Sequence, residues 1–201
     1  MAELSVRDLE RGDIGAAVSL FAQAMRDNPV NVAAYGPDPE RRIHLLEQLF
    51  ATLFAVFPTR QVIGAYDGST LLGAATVAAP GTCQPSPLQK VRFVPGLVSM
   101  GPHTARQVGA WLAAWAAHDP ERAHAHLGPV AVATDRQGHG IGGRLLTEHC
   151  RQLDRAGLTG YLETDKRENV GFYERHGYTV TAEAAVIGTT NWFMTRERPS
   201  R

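Results

Sequence analysis

The chain has 201 residues, 44% of them hydrophobic, which is enough for one domain with its own apolar core and short for two. Its 20 Lys and Arg balance its 20 Asp and Glu, so no net field draws it toward nucleic acid or an anionic membrane, and neither is expected as a partner. Two cysteines, Cys83 and Cys150, cannot build a disulfide scaffold; with no basic, apolar leader at Met1 to Asp8 and no apolar run of the roughly 18–20 residues a span needs, a cytoplasmic protein is expected.

In chain order, residues 4–7 read as a short strand. Asp13 precedes a helix whose apolar positions Ile14, Val18, Phe21 and Met25 keep a 3.6-residue period as far as Asn28-Pro29. Asp38-Pro39 is an N-cap and first-turn signal for a second helix, carried by Ile43, Leu46, Phe50 and Leu53 up to Pro58. Residues 61–66 and 71–78 flank Asp67-Gly68-Ser69-Thr70 and read as a hairpin. Residues 79–101 contain Pro80, Pro85, Pro87 and Pro95 and read as a long covering loop.

Val108, Trp111, Leu112 and Trp115 then mark an amphipathic helix ended by Asp119-Pro120. Its tryptophans are expected in the core, or at an interface if the stripe is exposed; oligomeric state is open, a homodimer included. A strand over 124–132, a helix over 140–156 closed by Gly157 and a strand over 159–164 form a β-α-β unit. A short helix over 169–176 and two antiparallel runs, 178–187 and 191–195, complete the chain.

The stretch from Val130 to Leu146 joins a strand to a helix through a turn in which Gly138, Gly140, Gly142 and Gly143 are glycine. A helix start leaves amides unpaired at the positive end of its dipole, and glycines let an anion approach that backbone closely, so a phosphate site is expected. Arg136 and Arg144 add charge. A Walker loop is excluded because no Lys-Ser or Lys-Thr follows. Gly138, Gly140 and Gly143 do spell G-x-G-x-x-G, with Glu163 twenty residues beyond Gly143 where a dinucleotide fold places its ribose-binding acid. The unit nevertheless lies late in the chain, with too few βαβ repeats left for a doubly wound sheet.

Gln137-x-x-Gly140-x-Gly142 resembles the acyl-CoA pyrophosphate motif of the GNAT superfamily of N-acetyltransferases. Downstream, Asn169-Val170-Gly171-Phe172-Tyr173, followed by Gly177-Tyr178, resembles its second motif, N-x-x-F-Y-x-x-x-G-[FY]. The resemblance covers residues 127–195, and the wording of 162–195 is most similar to puromycin N-acetyltransferase-like members. It implies an α/β (α+β) GNAT fold, a mixed, mostly antiparallel sheet flanked by helices, in a single domain over 1–201. The implied reaction is acetyl transfer from acetyl-CoA to a primary amine of a small molecule; a peptide or protein acceptor, or an acyl-CoA-binding module without turnover, are the alternatives.

The resemblance places pantetheine beside Val130, Ala131 and Val132, which family strands leave free by splaying. Pyrophosphate then lies over the amides of Gln137, Gly138, His139, Gly140, Ile141, Gly142 and Gly143, with Asn169 and Phe172 also against the cofactor. As an ordinary residue Asn169 is equally a helix N-cap. Tyr173, a phenol with a pKa near 10, is the candidate acid for the departing thiolate. Glu163 and His126 are both candidates for the base, and spacing does not choose between them. Segments 28–39 and 79–101 are expected to wall the acceptor pocket, with Tyr35 as its aromatic and Glu163 also in contact with the acceptor. His124-x-His126 puts two imidazoles on one strand face, but no further ligand stands at matching spacing, so no metal is expected.

Overall fold

The computed structural model describes residues 4–198; residues 1–3, the start of the N-terminal stretch read above, and 199–201 lie outside them. A seven-stranded sheet runs in the order β1-β2-β3-β4-β5-β7-β6. Its strands are β1 Ser5–Asp8, β2 Gln61–Asp67, β3 Thr70–Ala78, β4 His124–Val132, β5 Thr159–Thr164, β6 Thr179–Val186 and β7 Thr189–Arg196. Neighbouring strands are antiparallel except for β4 and β5. That crossover passes through α6, Ile141–Ala156, whose C-terminus is closed by Gly157 at φ 62. A single parallel pair is incompatible with a doubly wound dinucleotide fold.

Strand alternation divides the core between the two faces of the sheet. One face carries Ala74, Ala131, Tyr161 and Phe193 and is covered by α1 Ile14–Met25, α2 Pro29–Tyr35, α3 Pro39–Val56, α4 Pro87–Ser99 and α5 Pro102–Ala117. The other carries Ala75, Leu127, Leu162 and Met194 beneath α6 and α7, Arg167–Glu174. Leu145 and Leu146 of α6 are fully buried there, each contributing about 1.5–3 kcal/mol.

Several local expectations hold. Asp38 caps α3 by accepting from the Glu40 and Arg41 amides. Trp111 is buried and meets half-buried Trp115 edge to face at 5.0 Å, so the two tryptophans belong to the core, while Leu112 of the same stripe is exposed. Asp13 does directly precede α1, while its carboxylate, not engaged in a capping bond, accepts from the Tyr66 hydroxyl at 2.8 Å. Other expectations are corrected. The 28–39 segment is not a turn, because Pro29 starts α2 and Gly36, at φ 93, stops it. Buried Arg42 secures that helix pair, donating to Arg26 O, Gly36 O and Asp27 Oδ1.

The covering loop is likewise mostly helix. Ser86 and Gln89 form a capping box at the start of α4, and Pro87 occupies its first turn. Pro95 sits inside α4, where it removes one helical bond. Gly96 faces α3 so closely that a Cβ would lie 2.8 Å from Thr52 Oγ1. The proline count marked a boundary correctly and hid a helix whose register depends on α3.

Beneath α6, fully buried His149 lies 2.9 Å from the Tyr178 hydroxyl through Nε2. Burial, with Arg196 nearby, lowers its pKa from 6.5 to about 4. The folded ring therefore stays neutral where the unfolded one takes a proton. Its contribution is fully present above pH 6.5 and is lost as pH falls toward 4, amounting to about 3 kcal/mol. Urea denaturation across that window should show the stability gap between the wild type and His149→Gln narrowing on acidification. A gap independent of pH refutes the assignment.

Candidate active site

β4 and β5 pair only at their beginnings, His124 with Thr159, Ala125 with Gly160 and His126 with Tyr161. Beyond them β5 stays with β7, while β4 stays with β3 as far as Val132. The strands part, and residues 127–132 present an edge with no strand partner on the β5 side among the described residues. Gly128-Pro129 lies at the break: the β3–β4 register slips between Ala75 and Val77, Thr76 Oγ1 donates to Gly128 O, and Pro129 has no N–H for a ladder. Val130, Ala131 and Val132 stand on the freed edge.

The glycine turn meets the end of that edge. Gly138 and Gly140 both have φ 79, a conformation in which a Cβ is strained, and Gly140 is the N-cap of α6. Gly140 has no side chain to cover the helix start. The first helical bond runs from the Arg144 amide to Gly140 O, leaving the amides of Ile141, Gly142 and Gly143 outside the helical ladder. Gln137 Nε2 donates to Val132 O at 3.2 Å, tying turn to strand, while His139 is exposed with Nδ1 2.9 Å from Gln137 O. Exposed Arg136 pairs with Asp135, and Arg144, which keeps its charge, is anchored by donating to Leu4 O. What the turn itself presents is backbone amides.

α7 packs beside this turn. A Cβ on Gly142 would lie 3.5 Å from the Phe172 ring and 3.7 Å from Val132, so α6, α7 and the end of β4 meet here. Asn169 is not the N-cap, since Lys166 precedes the helix; its side chain donates to Thr164 Oγ1 at 3.4 Å, linking α7 to the end of β5. Tyr173 is buried, with its ring 5.2 Å from Phe172 and 6.1 Å from Tyr178. Among the described residues its hydroxyl has no protein partner. Burial pushes its pKa above the ordinary 10, and Asp165 adds to the rise, so the phenol keeps its proton through neutral pH.

Glu163 lies on the opposite face of β5, in register with Phe193. Its Oε2 is 2.7 Å from His126 Nε2. Burial disfavours charge on that ring, but the Glu163 carboxylate, helped by Cys83, outweighs it and raises the pKa. The two base candidates are thus a hydrogen-bonded pair. On this face a narrow pocket is lined by Phe50, Phe54, Phe57, Arg60, Thr76 and Pro129. Its helical wall is α3. The i, i+4, i+7 spacing of the phenylalanines was the available signal.

Tyr35 does not open onto this space. It is 1% exposed within the core of the helical face, its hydroxyl has no partner, and its carbonyl accepts from Arg41. The second segment contributes only through its start: Cys83 reaches β4, and its carbonyl accepts from Arg60 at 3.3 Å.

The parted parallel pair, with a glycine turn leading into the crossover helix, is the arrangement that the resemblance of the two motifs implies. Residues 103–180 match the family model described as an acetyltransferase (GNAT) domain. The fold is the GNAT fold. A structure described as histone acetyltransferase HPA2 and related acetyltransferase from Corynebacterium glutamicum has 19% identity and a TM-score of 0.75, over 100% of this chain and 99% of that one. The ribosomal-protein-S18-alanine N-acetyltransferase of Escherichia coli has 14% identity and a TM-score of 0.58, over 99% and 96%. A putative acetyltransferase, yncA, from Salmonella typhimurium, solved with acetyl-CoA, has 12% identity and a TM-score of 0.54, over 100% and 96%. At these identities the structures speak for the fold alone. The segment that matches the acetyltransferase model contains the freed β4 edge, the glycine turn and α7, and the family it matches is one of acyltransferases with acetyl-CoA as cosubstrate. Among the described residues no helix is long and apolar enough to cross a membrane.

Proposed function

We propose that the protein transfers the acetyl group of acetyl-CoA to the primary amine of a small molecule by direct attack on the thioester. The observation that carries this reading is the parting of β4 from β5, with uncovered helix amides at its end and Tyr173 and Glu163 on opposite faces of the sheet. Bound acetyl-CoA supplies the activated acetyl group. The amides from Gln137 to Gly143 hold its pyrophosphate, Val130, Ala131 and Val132 align the pantetheine arm, and Phe172 and Asn169 close the α7 side. Glu163, held by His126, takes the proton that the acceptor ammonium must lose. Tyr173 donates its phenolic proton to the departing thiolate.

Phe50, Phe54 and Phe57, which line the crevice beside α3, favour an acceptor with an apolar body. Within the family, the wording of 162–195 supports kinship with puromycin N-acetyltransferase-like members, acting in the cytoplasm as a single domain. Mass spectrometry after incubation with acetyl-CoA and either small amines, aminonucleosides included, or peptides with free N-termini tests the proposal. Acetylated small amines are expected. Acetylation of peptides alone overturns the acceptor class, and CoA binding without transfer to any amine overturns the enzyme reading.

A further inference from the structure

Cys83 follows β3, Asp119 follows α5, and His124 and His126 lie on β4; the fold brings all four to one place beside Glu163. One ligand atom from each, a sulfur, a carboxylate oxygen and two imidazole nitrogens, lies within 4.8 Å of the other three. Cys83 Sγ is 3.2 Å from Asp119 Oδ2 and 3.6 Å from His124 Nε2, and His124 Nε2 is 3.0 Å from Asp119 Oδ1. Around a tetrahedral zinc with bonds of about 2.0–2.3 Å, donor atoms stand roughly 3.3–3.8 Å apart. We propose that these side chains form a four-coordinate site for a zinc-like divalent transition-metal ion.

The protonation pattern supports this independently. His124 is 3% exposed and its Nδ1 lies 2.9 Å from the Arg122 carbonyl, so the ring proton is there and Nε2 turns a lone pair toward Cys83 and Asp119. With the neutral ring in that tautomer, Asp119 Oδ1, 3.0 Å away, faces a lone pair and is a buried oxygen without a hydrogen-bond partner among the described residues. A cation between them satisfies both. With a metal bound, a thiolate, a carboxylate and two neutral imidazoles carry two negative charges, which a divalent ion cancels; the Cys83 proton, and the second ring proton that Glu163 favours on His126, leave to solvent on binding. The mixed sulfur, nitrogen and oxygen set favours zinc over the hard cations magnesium and calcium.

A cysteine nucleophile relay through His124 does not fit these residues. Such a relay needs the carboxylate on the imidazole nitrogen remote from the thiol, whereas Asp119 and Cys83 both face Nε2 of His124. Four protein ligands instead describe a closed structural site. It pins the connections that follow β3 and α5 to β4, at the strand whose His126 holds Glu163.

The test uses the full chain, stripped with a chelator and returned to zinc or cobalt alone. One equivalent of zinc per chain is expected by native mass spectrometry, and cobalt should show a thiolate-to-metal charge-transfer band. In a Cys150→Ser background zinc should protect Cys83 from alkylation. Cys83→Ser should abolish the band and weaken zinc binding by more than the roughly 10–100-fold that loss of a supporting contact costs. Asp119→Asn, nearly isosteric, should also weaken binding, and it decides the matter with the alkylation experiment if Cys83→Ser does not fold. Absence of stoichiometric zinc, a cobalt complex lacking the band, or an alkylation rate indifferent to zinc each overturns the site.

Discussion

Replacing Tyr173 with Phe is expected to lower kcat by roughly 10²–10⁴-fold, the usual loss for a general acid, while KM for acetyl-CoA changes little. The ring keeps its contacts with Phe172 and Tyr178, so the packing survives. The hydroxyl has no protein partner among the described residues, so its removal leaves no buried group unsatisfied. Loss of activity at unchanged stability therefore isolates proton donation. Burial and Asp165 raise the phenol's pKa above 10, so its acid form persists to higher pH and the alkaline limb it sets lies above that value. The Phe variant should lack that limb. Full kcat across the same range would make Tyr173 a packing residue, with the proton reaching the thiolate by another route.

Gly143→Asp is expected to abolish tight CoA binding while leaving the free protein as stable as before or more so. Gly143 is the third residue of α6, and a Cβ there meets nothing within 4 Å. A carboxylate in the first turn complements the helix dipole by about 0.3–1 kcal/mol and removes a helix-destabilising glycine. The same carboxylate stands where the pyrophosphate must come. Like charges brought together cost several kcal/mol, which corresponds to an affinity loss on the order of 100-fold or more. Calorimetry with CoA, with thermal melting as the control for folding, reads the two effects separately, and Gly143→Ala should bind normally. Unchanged CoA affinity would remove the pyrophosphate from this turn. Tight NAD binding without CoA binding would restore the dinucleotide reading of Gly138, Gly140 and Gly143.

The elements legible in the sequence are those specified by contacts close along the chain. Asp38-Pro39 announces α3 because the cap and first turn are made within three residues, and Gly157 closes α6 because the left-handed position follows the helix directly. The glycine turn and the run from Asn169 to Tyr178 were legible for the same reason, since amides, rings and turn lie on one short stretch. Interactions distant in sequence were not legible. α2 is held by Asp165, whose carboxylate accepts from the Val30 amide 135 residues away, and α4 depends on Gly96 against Thr52. Tyr35 looked available for a pocket because nothing local says which way α2 turns it, and the docked sheet and helices bury it.

The sequence by itself determined the helix and strand pattern apart from α2 and α4, the glycine turn at the start of α6 and the Asn169–Tyr178 motif, because periodicity, capping and glycine conformation act over a few residues. Only the tertiary structure decided that β4 parts from β5, that Glu163 and His126 are one pair, that α3 walls the pocket, and that Cys83 and Asp119 join two histidines. Those arrangements depend on strand pairing and side-chain packing between segments dozens of residues apart, and no local pattern in the chain records them.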